Sequence, residues 1–191
     1  MSKYLTIEAP AQAKFTEKMS RFLAFAYPAQ TVDEAKALMA DLQRQYCDAR
    51  HVCWAWVIGV DDPVSYSTDN GEPSGTAGRP ILGQINSRGL RNVVVGVVRY
   101  FGGIKLGTPG LIAAYKLGAS LALDEARIIE AEEMTELTLT FPYSRLNEIM
   151  QRVKQLPSAT ILDRNFDNTC TLRLRLPLSD GSSVCPSLRR P

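Results

Sequence analysis

The spacing of apolar residues in the first third of the chain predicts strands on either side of one helix. Residues 12–27 are typical of one or two short strands that contribute aromatic side chains to a core. Apolar side chains then recur at helical spacing over residues 31–46, where Thr31 and Glu34 form a capping box at the start. Residues 51–60 are rich in aromatic and β-branched side chains, so we predict a strand there.

The next seventy positions alternate between helical and extended patterns. A loop dense in Gly, Pro, Ser and Asp follows the turn at residues 61–63, and residues 77–85 have the pattern of a short helix. A β-branched strand begins at Asn92, and residues 110–126 form a helix that is apolar on nearly every side, as in a tight interior contact. This order of elements predicts an α+β or α/β domain over residues 1–131.

A second, smaller domain is predicted over residues 132–178. Residues 135–141 alternate between apolar and polar side chains, residues 146–153 form an amphipathic helix, and residues 160–162 and 170–178 have strand patterns. A split βαβ fold needs one more helix and strand, so this domain is incomplete. Residues 179–191 are polar and interrupted by proline, and we predict a disordered tail.

Composition limits the protein class. No apolar run approaches the roughly 20 residues that span a bilayer, so no membrane association is expected. The N-terminus lacks the apolar core of a signal peptide, and the four cysteines form no CxxC pair, which indicates reduced thiols in the cytoplasm. The net charge is only +2, but residues 79–127 contain 7 basic and 2 acidic residues. A solvated surface accounts for such an excess as well as a polyanion site does.

The order of strand, glycine loop and helix start over residues 92–115 has the layout of an anion site. Glycines allow a close backbone approach, and the first N–H groups of a helix carry partial positive charge. The candidate anion- or RNA-binding residues are Arg99, Gly102, Gly103, Lys105, Gly107 and Thr108, with help from Arg79, Arg88 and Arg91. The alternative is a structural turn with solvated charges. No GKS or GKT follows the glycines, so this loop is not a Walker A motif and nucleotide hydrolysis is disfavoured.

A polar pocket is the second candidate site. Its candidate residues are Asp69, Glu72, Ser74 and Thr76, within a loop that prolines stiffen. The alternative is a rigid connector whose hydroxyl groups cap the following helix.

Two further sets of residues have the composition of a site but favour a core. His51 and Cys53 share one strand face, and Cys47 would complete three metal ligands, but a fourth is missing and no metal site or catalytic residue is predicted. Trp54 and Trp56 face the opposite way. Core packing explains them, and stacking on bases is the alternative.

Three segments together resemble the YigZ/IMPACT family: VVVGVVRYFGGIKLGTPGLIAAY, DNGEPSGTAGRPIL and ARHVCWAW. The resemblance covers residues 1–178. It implies a first domain like domain IV of elongation factor G, with a left-handed βαβ unit, and a second, ferredoxin-like domain. It also implies contact with RNA or the ribosome, and its eukaryotic members look like regulators of translation that act through a partner protein.

Three positions depart from the family pattern. Asn70 replaces a second Asp, Pro109 replaces a glycine, and Ala113 stands where Arg or Lys is common. Proline suits the first turn of a helix but removes one N–H donor, and Ala113 removes a positive charge. We therefore expect weaker anion binding than in typical relatives.

Three functions follow from these observations. The favoured one is a non-enzymatic protein without a cofactor that associates with RNA or the ribosome and is linked to regulation of translation. The second is an enzyme on a small phosphorylated or acidic substrate, with Asp69, Glu72 and His51 as titrating groups, which requires Glu72 to lie near Arg99. The third is a module that binds a translation-regulatory protein. The oligomeric state stays open.

Overall fold

The computed structural model describes residues 3–156, 158–167, 169–178 and 180, and the chain divides into two compact units. The first unit comprises residues 4–131, and the second begins at Glu132 and includes Lys3. None of the helices in the described part of the chain is long and apolar enough to cross a membrane. The predicted tail at 179–191 lies outside the described residues, apart from Asp180.

The elements of the first unit alternate between strands and helices. In chain order they are β1 (Lys3–Ile7), β2 (Ala11–Glu17), β3 (Ser20–Pro28), α1 (Val32–Gln45), β4 (His51–Ile58), β5 (Val64–Thr68), α2 (Gly78–Ser87), β6 (Val93–Tyr100), α3 (Gly107–Asp124) and β7 (Ile128–Glu132). Strands β2, β3, β6, β4 and β5 form an antiparallel sheet in that order, and β1 pairs with β7.

Strand β6 lies at the centre of the five-stranded sheet and is buried from Val93 to Arg99. Side chains alternate between the two faces of a strand, so its odd-numbered positions pack under α2 and α3 and its even-numbered ones under α1. Gly96 brings α1 close, because a Cβ at this position would lie 2.6 Å from Leu42 Cδ2. Both faces of the sheet are therefore covered by helices.

Helices α2 and α3 pack against each other and begin at the same end of the sheet. The loop 101–106 leads from the C-terminal end of β6 directly into α3, and His51 at the start of β4 pairs with Arg99 at the end of β6. Gly78 at the start of α2 donates its N–H to Asp69, which in turn accepts from Cys53 on β4. The glycine loop and the loop 69–79 consequently lie at the same end of the sheet.

The apolar pattern predicted most of these elements. The helices at 31–46, 77–85 and 110–126, the strands at 51–60 and from Asn92, and the mixed α+β class are confirmed. The region 12–27 holds two strands joined by a two-residue turn. Strands β1, β5 and β7 were not predicted, because each has only five residues, of which two are buried in β1 and none in β5 and β7.

In its described residues, the second unit contains a three-stranded antiparallel sheet and the helix α4. Its elements are β8 (Met134–Pro142), a 3₁₀ turn (Tyr143–Arg145), α4 (Leu146–Lys154), β9 (Thr160–Phe166) and β10 (Thr169–Pro177), and the sheet order is β8, β10, β9. The predicted alternation holds on β10, where the leucines are buried and Arg173 and Arg175 are exposed. The β-α-β-β order is confirmed.

Candidate functional site

A buried ion pair lies at the C-terminal end of β6. Arg99 Nη1 donates to Glu72 Oε1 at 2.7 Å, and the two side chains are only 6% and 3% exposed. The Tyr115 hydroxyl donates to the same carboxylate oxygen at 2.9 Å, and His51 Nε2 lies 3.9 Å from it. The pair therefore joins β4, β6, α3 and the loop after β5 into one network.

Arg99 is buried because position 99 is odd on β6 and faces the α3 side of the sheet. The rings of Phe22 and Phe101 lie 5.8 and 5.5 Å from its guanidinium carbon, within cation–π range. The sequence pattern predicts that Arg99 presents its charge beside the glycine loop. The structure corrects this, because the charge is neutralised by Glu72 inside the protein.

The Cys53 thiol of the same network is a poor nucleophile. It is fully buried and donates to the carbonyl oxygen of Asp69. Burial is the main cause that raises the pKa of Cys53 to about 12, and burial likewise raises the pKa of Tyr115. Both groups therefore stay protonated at neutral pH. Cys47 is exposed, and the described residues hold no cluster of three or more side chains suited to a metal ion.

The loop 69–79 is held by the carboxylate of Asp69, which accepts N–H groups from Gly75, Ala77 and Gly78 at 2.8 to 2.9 Å. Burial alone raises the pKa of Asp69, but these three bonds, with the Arg79 charge, outweigh it and hold the pKa below its ordinary value. A carboxylate thus caps α2, where the sequence suggested hydroxyl groups.

The other residues of the predicted polar pocket do not converge on an open cleft. Thr76 is buried and donates to the carbonyl of Pro73, Ser74 is exposed, and Glu72 points into the ion pair. Asn70 has φ +38° and donates Nδ2–H to the Val52 carbonyl at 2.8 Å, which an ionised Asp cannot do. The connector interpretation therefore describes this loop, apart from Glu72.

The glycine loop between β6 and α3 is open to solvent. Phe101 is 48% exposed, and Ile104 and Lys105 are exposed beside it. Gly103 and Gly107 have φ +91° and +72°, a backbone conformation that favours glycine. No side chain of the described residues caps the start of α3, so the N–H groups of its first turn face outward, apart from Pro109, which has none.

The tip of the β2–β3 hairpin lies against this loop. A Cβ at Gly102 would lie 2.0 Å from the carbonyl oxygen of Met19, and the N–H of Gly102 donates to the Ser20 hydroxyl. The tip residues Lys18 and Met19 are both exposed. We call the exposed set of Lys18, Met19, Phe101, Ile104 and Lys105 the glycine-loop surface.

The hairpin tip is strained, which leads to a first prediction. Lys18 and Met19 have φ +44° and +64°, where a residue with a Cβ is disfavoured by about 1–2 kcal/mol. Because Met19 is 68% exposed, Met19→Gly removes little packing and is expected to raise the free energy of unfolding by about 0.5–1 kcal/mol. Urea denaturation measures it. Met19→Ala keeps the Cβ, so an equal gain in that variant would show that strain is not the cause.

The remaining basic candidates lie at two ends of the unit. Arg79 is exposed in the first turn of α2, at the same end as the glycine loop. Arg88 follows the last turn of α2 and is paired with Asp124 at the end of α3. Arg91 precedes β6 and donates to the Leu90 carbonyl. The eight-residue strand β6 separates Arg88 and Arg91 from the loop, so we leave them out of the site.

The sequence interpretation omitted four residues of the glycine-loop surface, namely Lys18, Met19, Phe101 and Ile104. Lys18 and Met19 come from a distant hairpin, and only their contact with Gly102 brings them to the loop. Phe101 was detectable, because a phenylalanine that ends a buried strand and precedes two glycines has little chain around it to bury its ring.

Fold and site together define a two-unit α+β protein in which a glycine-rich loop lies over a buried Arg–Glu pair. A family model described as the Impact N-terminal domain matches residues 18–123. The chain is 36% identical to IMPACT family member YigZ of Escherichia coli over 93% of this chain and 87% of that protein. It is 34% identical to IMPACT family member YvyE of Bacillus subtilis over 81% of this chain and 71% of that protein. This chain belongs to the IMPACT family, as its motifs predicted.

One solved structure supports the mixed α+β fold. A crystal structure described as that of a hypothetical protein is 34% identical, covers 100% of this chain and 94% of its own, and has a TM-score of 0.77. The protein described as the two-domain translational regulator Yih1 is 28% identical over 64% of this chain and 47% of its own, with a TM-score of 0.37, which is too low to compare the two folds.

Proposed function

We propose that this protein is a non-enzymatic RNA-binding protein that contacts RNA, free or in the ribosome, through its glycine-loop surface, and that it regulates translation. One observation carries the proposal: an exposed aromatic ring, Phe101, stands beside the exposed cation Lys105 on a loop of glycines. The link to translation rests on the family resemblance. We include in the proposal the kinship of the first unit with domain IV of elongation factor G.

Phe101 has the geometry of a stacking platform. The residue is 48% exposed, and the buried Arg99 guanidinium carbon lies over its ring, 5.5 Å from the ring centroid. Stacking of a base on an aromatic side chain is worth about 1–3 kcal/mol and tolerates any base. The exposed side chains of Lys18 and Lys105 supply the charge that phosphate groups require.

The open form of the loop favours a polymer over a small phosphorylated ligand. Small ligands bind in pockets that cover most of their surface, whereas the residues of the glycine-loop surface are exposed on two adjacent loops. The free N–H groups at the start of α3 add partial positive charge toward the same side. Arg99 serves as a positioning residue for Phe101.

A binding assay on the full chain tests the proposal and gives a second prediction. In filter binding to single-stranded RNA, Phe101→Ala is expected to weaken the affinity about 5- to 150-fold through lost stacking. Lys105→Ala is expected to reduce the slope of log affinity against log salt concentration by about 0.7, the value for one phosphate contact on a single strand.

Matched variants separate these effects from the loss of an exposed ring or lysine elsewhere on the chain. Tyr143→Ala removes an exposed aromatic ring outside the glycine-loop surface, and Lys116→Ala removes an exposed lysine from the middle of α3. Both are expected to retain the affinity and salt slope of the parent protein. Equal binding by Phe101→Ala and the parent would remove the proposed site.

The enzymatic alternative keeps part of its geometry, because Glu72 does lie beside Arg99 and His51. Its carboxylate is 3% exposed and already accepts two hydrogen bonds, so it is not available to a substrate in this structure.

The exposed apolar side chains of Met19 and Ile104 favour the third function, a contact with a regulatory protein. A pull-down before and after RNase treatment separates RNA binding from this protein contact, since RNase releases only the partners that RNA holds.

A further inference from the structure

A groove lies between helix α3 and the end of strand β2, next to the glycine-loop surface. Lys18 belongs to both, so the groove continues that surface. Its volume is about 230 Å³. Small-molecule sites usually measure about 300–1,000 Å³, so this groove suits a single heterocyclic ring system better than a complete nucleotide.

Helix α3 contributes one wall, which consists of small and aliphatic residues. They are spaced three or four positions apart and therefore share one side of the helix: Leu106, Gly110, Ala113 and Leu117. Gly110 and Ala113 project little or no side chain, which leaves the space between the helix and β2. This wall makes van der Waals contact with a flat ring but offers it no hydrogen bond.

Phe15 forms the aromatic part of the opposite wall and is held in place by its neighbours. Its ring stacks on that of Phe22, with centroids 4.9 Å apart and planes 6° apart. A Cβ at Gly118 would lie 3.3 Å from Phe15 Cε1, so the ring also packs closely against α3. Phe15 is nevertheless only half-buried, and it lines the groove. A fixed aromatic side chain with open surface favours a flat ring as the occupant.

Glu17 places a carboxylate in the lining of this groove. It lies two positions after Phe15 on β2 and therefore shares the face that packs toward α3. Glu17 and Lys18 are both exposed, and neither side chain has a hydrogen bond or ion pair with any described residue. A free carboxylate repels phosphate, so beside an RNA-binding surface it is favourable only where N–H donors of a base face it.

Two oxygens on one carboxylate discriminate among the four RNA bases. Guanine presents two neighbouring N–H donor groups, at N1 and N2, on its Watson–Crick edge, and single-stranded bases are commonly recognised at that edge. An ionised carboxylate accepts both of them. Each of the other three bases presents at most one donor group there. An apolar, ring-sized groove with a free carboxylate therefore favours guanine.

We propose that this groove binds one guanine base of the RNA that contacts the glycine-loop surface. The base lies between Phe15 and the α3 wall, Glu17 accepts its N1–H and N2–H groups, and Lys18 at the border holds the neighbouring phosphate. The inference rests on the proposed function and deepens it, because it adds a base preference to a surface whose stacking on Phe101 tolerates any base.

Filter binding of the full chain compares a uridine-only oligoribonucleotide with the same oligomer carrying one guanosine. The guanosine oligomer is expected to bind about tenfold more tightly, the effect of a hydrogen bond to a charged group. Inosine in place of guanosine lacks the N2 amino group and is expected to lose most of this preference. The ratio of the two affinities is the readout, so a general change in charge does not affect it.

Three variants locate the preference in the groove. Glu17→Gln removes the charge, and Ala113→Phe fills the groove at an exposed position without disturbing the core. Both are expected to lower the preference to about twofold or less and to keep the binding of uridine-only RNA. Glu125→Gln removes an exposed carboxylate that follows α3, and as the matched control it is expected to keep the full preference.

Equal binding of the two oligomers by the parent overturns the guanine site, and so does a preference that survives in Glu17→Gln and Ala113→Phe. Both results leave the proposed function standing, because uridine-only RNA still binds. If neither oligomer binds, the proposed function fails. Nuclear magnetic resonance of the ¹⁵N-labelled full chain with millimolar guanosine 5′-monophosphate then decides about the groove. Saturable shifts of the Ala113 and Ala114 amide signals, absent with the adenosine analogue, support the site, and unchanged signals overturn it.

Discussion

Replacing Arg99 by methionine is expected to lower the free energy of unfolding by about 3–5 kcal/mol, the usual cost of removing one partner of a buried ion pair. Among the described residues, the substitution leaves the buried Glu72 carboxylate with the Tyr115 hydroxyl as its one hydrogen-bond donor. A negative charge without a counterion is poorly solvated at a site that is 3% exposed. Surface arginines cost far less, because water replaces their partners.

A double-mutant cycle separates the ion pair from packing. Glu72→Gln keeps an acceptor for Tyr115 and removes the charge, so the double variant with Arg99→Met is expected to be more stable than Arg99→Met alone. Urea denaturation followed by circular dichroism gives the three free energies. A loss below about 1 kcal/mol for Arg99→Met would mean that this pair behaves like a solvent-exposed one.

Gly102→Ala is the second substitution with a large expected effect. The new Cβ would lie 2.0 Å from the carbonyl oxygen and 2.1 Å from the carbonyl carbon of Met19, and these backbone atoms have no rotamer to turn away. The hairpin tip and the glycine loop must separate, which we expect to cost about 3 kcal/mol. RNA affinity is expected to fall as well, since Lys18 and Phe101 then move apart.

Gly83→Ala is the matched control for this substitution. Gly83 lies within α2, and a Cβ there meets no atom within 4 Å. Alanine favours the helix over glycine, so this variant is expected to gain up to about 1 kcal/mol and to bind RNA like the parent. Thermal unfolding of both variants checks the pair of outcomes, and a Gly102→Ala protein as stable as the parent would contradict the close approach.

The elements that fold around the site follow from local patterns. The β-branched run of β6, the glycines after it and the apolar α3 predict a strand, loop and helix without any knowledge of distant residues. Thr31 predicts the start of α1 in the same way, and its hydroxyl accepts the N–H of Glu34 as a capping box requires.

The chemistry of the site depends on pairings that no local pattern contains. Glu72 and Arg99 are 27 positions apart and belong to different motifs, so their pairing became visible only with the fold. The same is true of Met19, which reaches Gly102 through the pairing of β3 with β6. A count of charges shows how many cations a segment holds, but burial decides which of them face solvent.

Because Arg99 is buried and paired with Glu72, the proposed RNA contact is assigned to the exposed glycine loop instead of to Arg99. The interior pair stabilises the end of the sheet and supports the ring of Phe101, while Lys18 and Lys105 remain exposed. Because the buried ion pair stabilises this end of the sheet, the loop above it can stay exposed.

The central claim, that RNA stacks on Phe101, is tested most directly by ultraviolet cross-linking. The full chain is irradiated with a uridine-rich single-stranded RNA and digested with trypsin, and the attached nucleotides are located by fragmentation in a mass spectrometer. We predict cross-links on the peptide of residues 100–105, at Phe101, and their loss in Phe101→Ala. Cross-links found only on other peptides, such as the one of residues 51–88 that carries Trp54 and Trp56, would contradict the account.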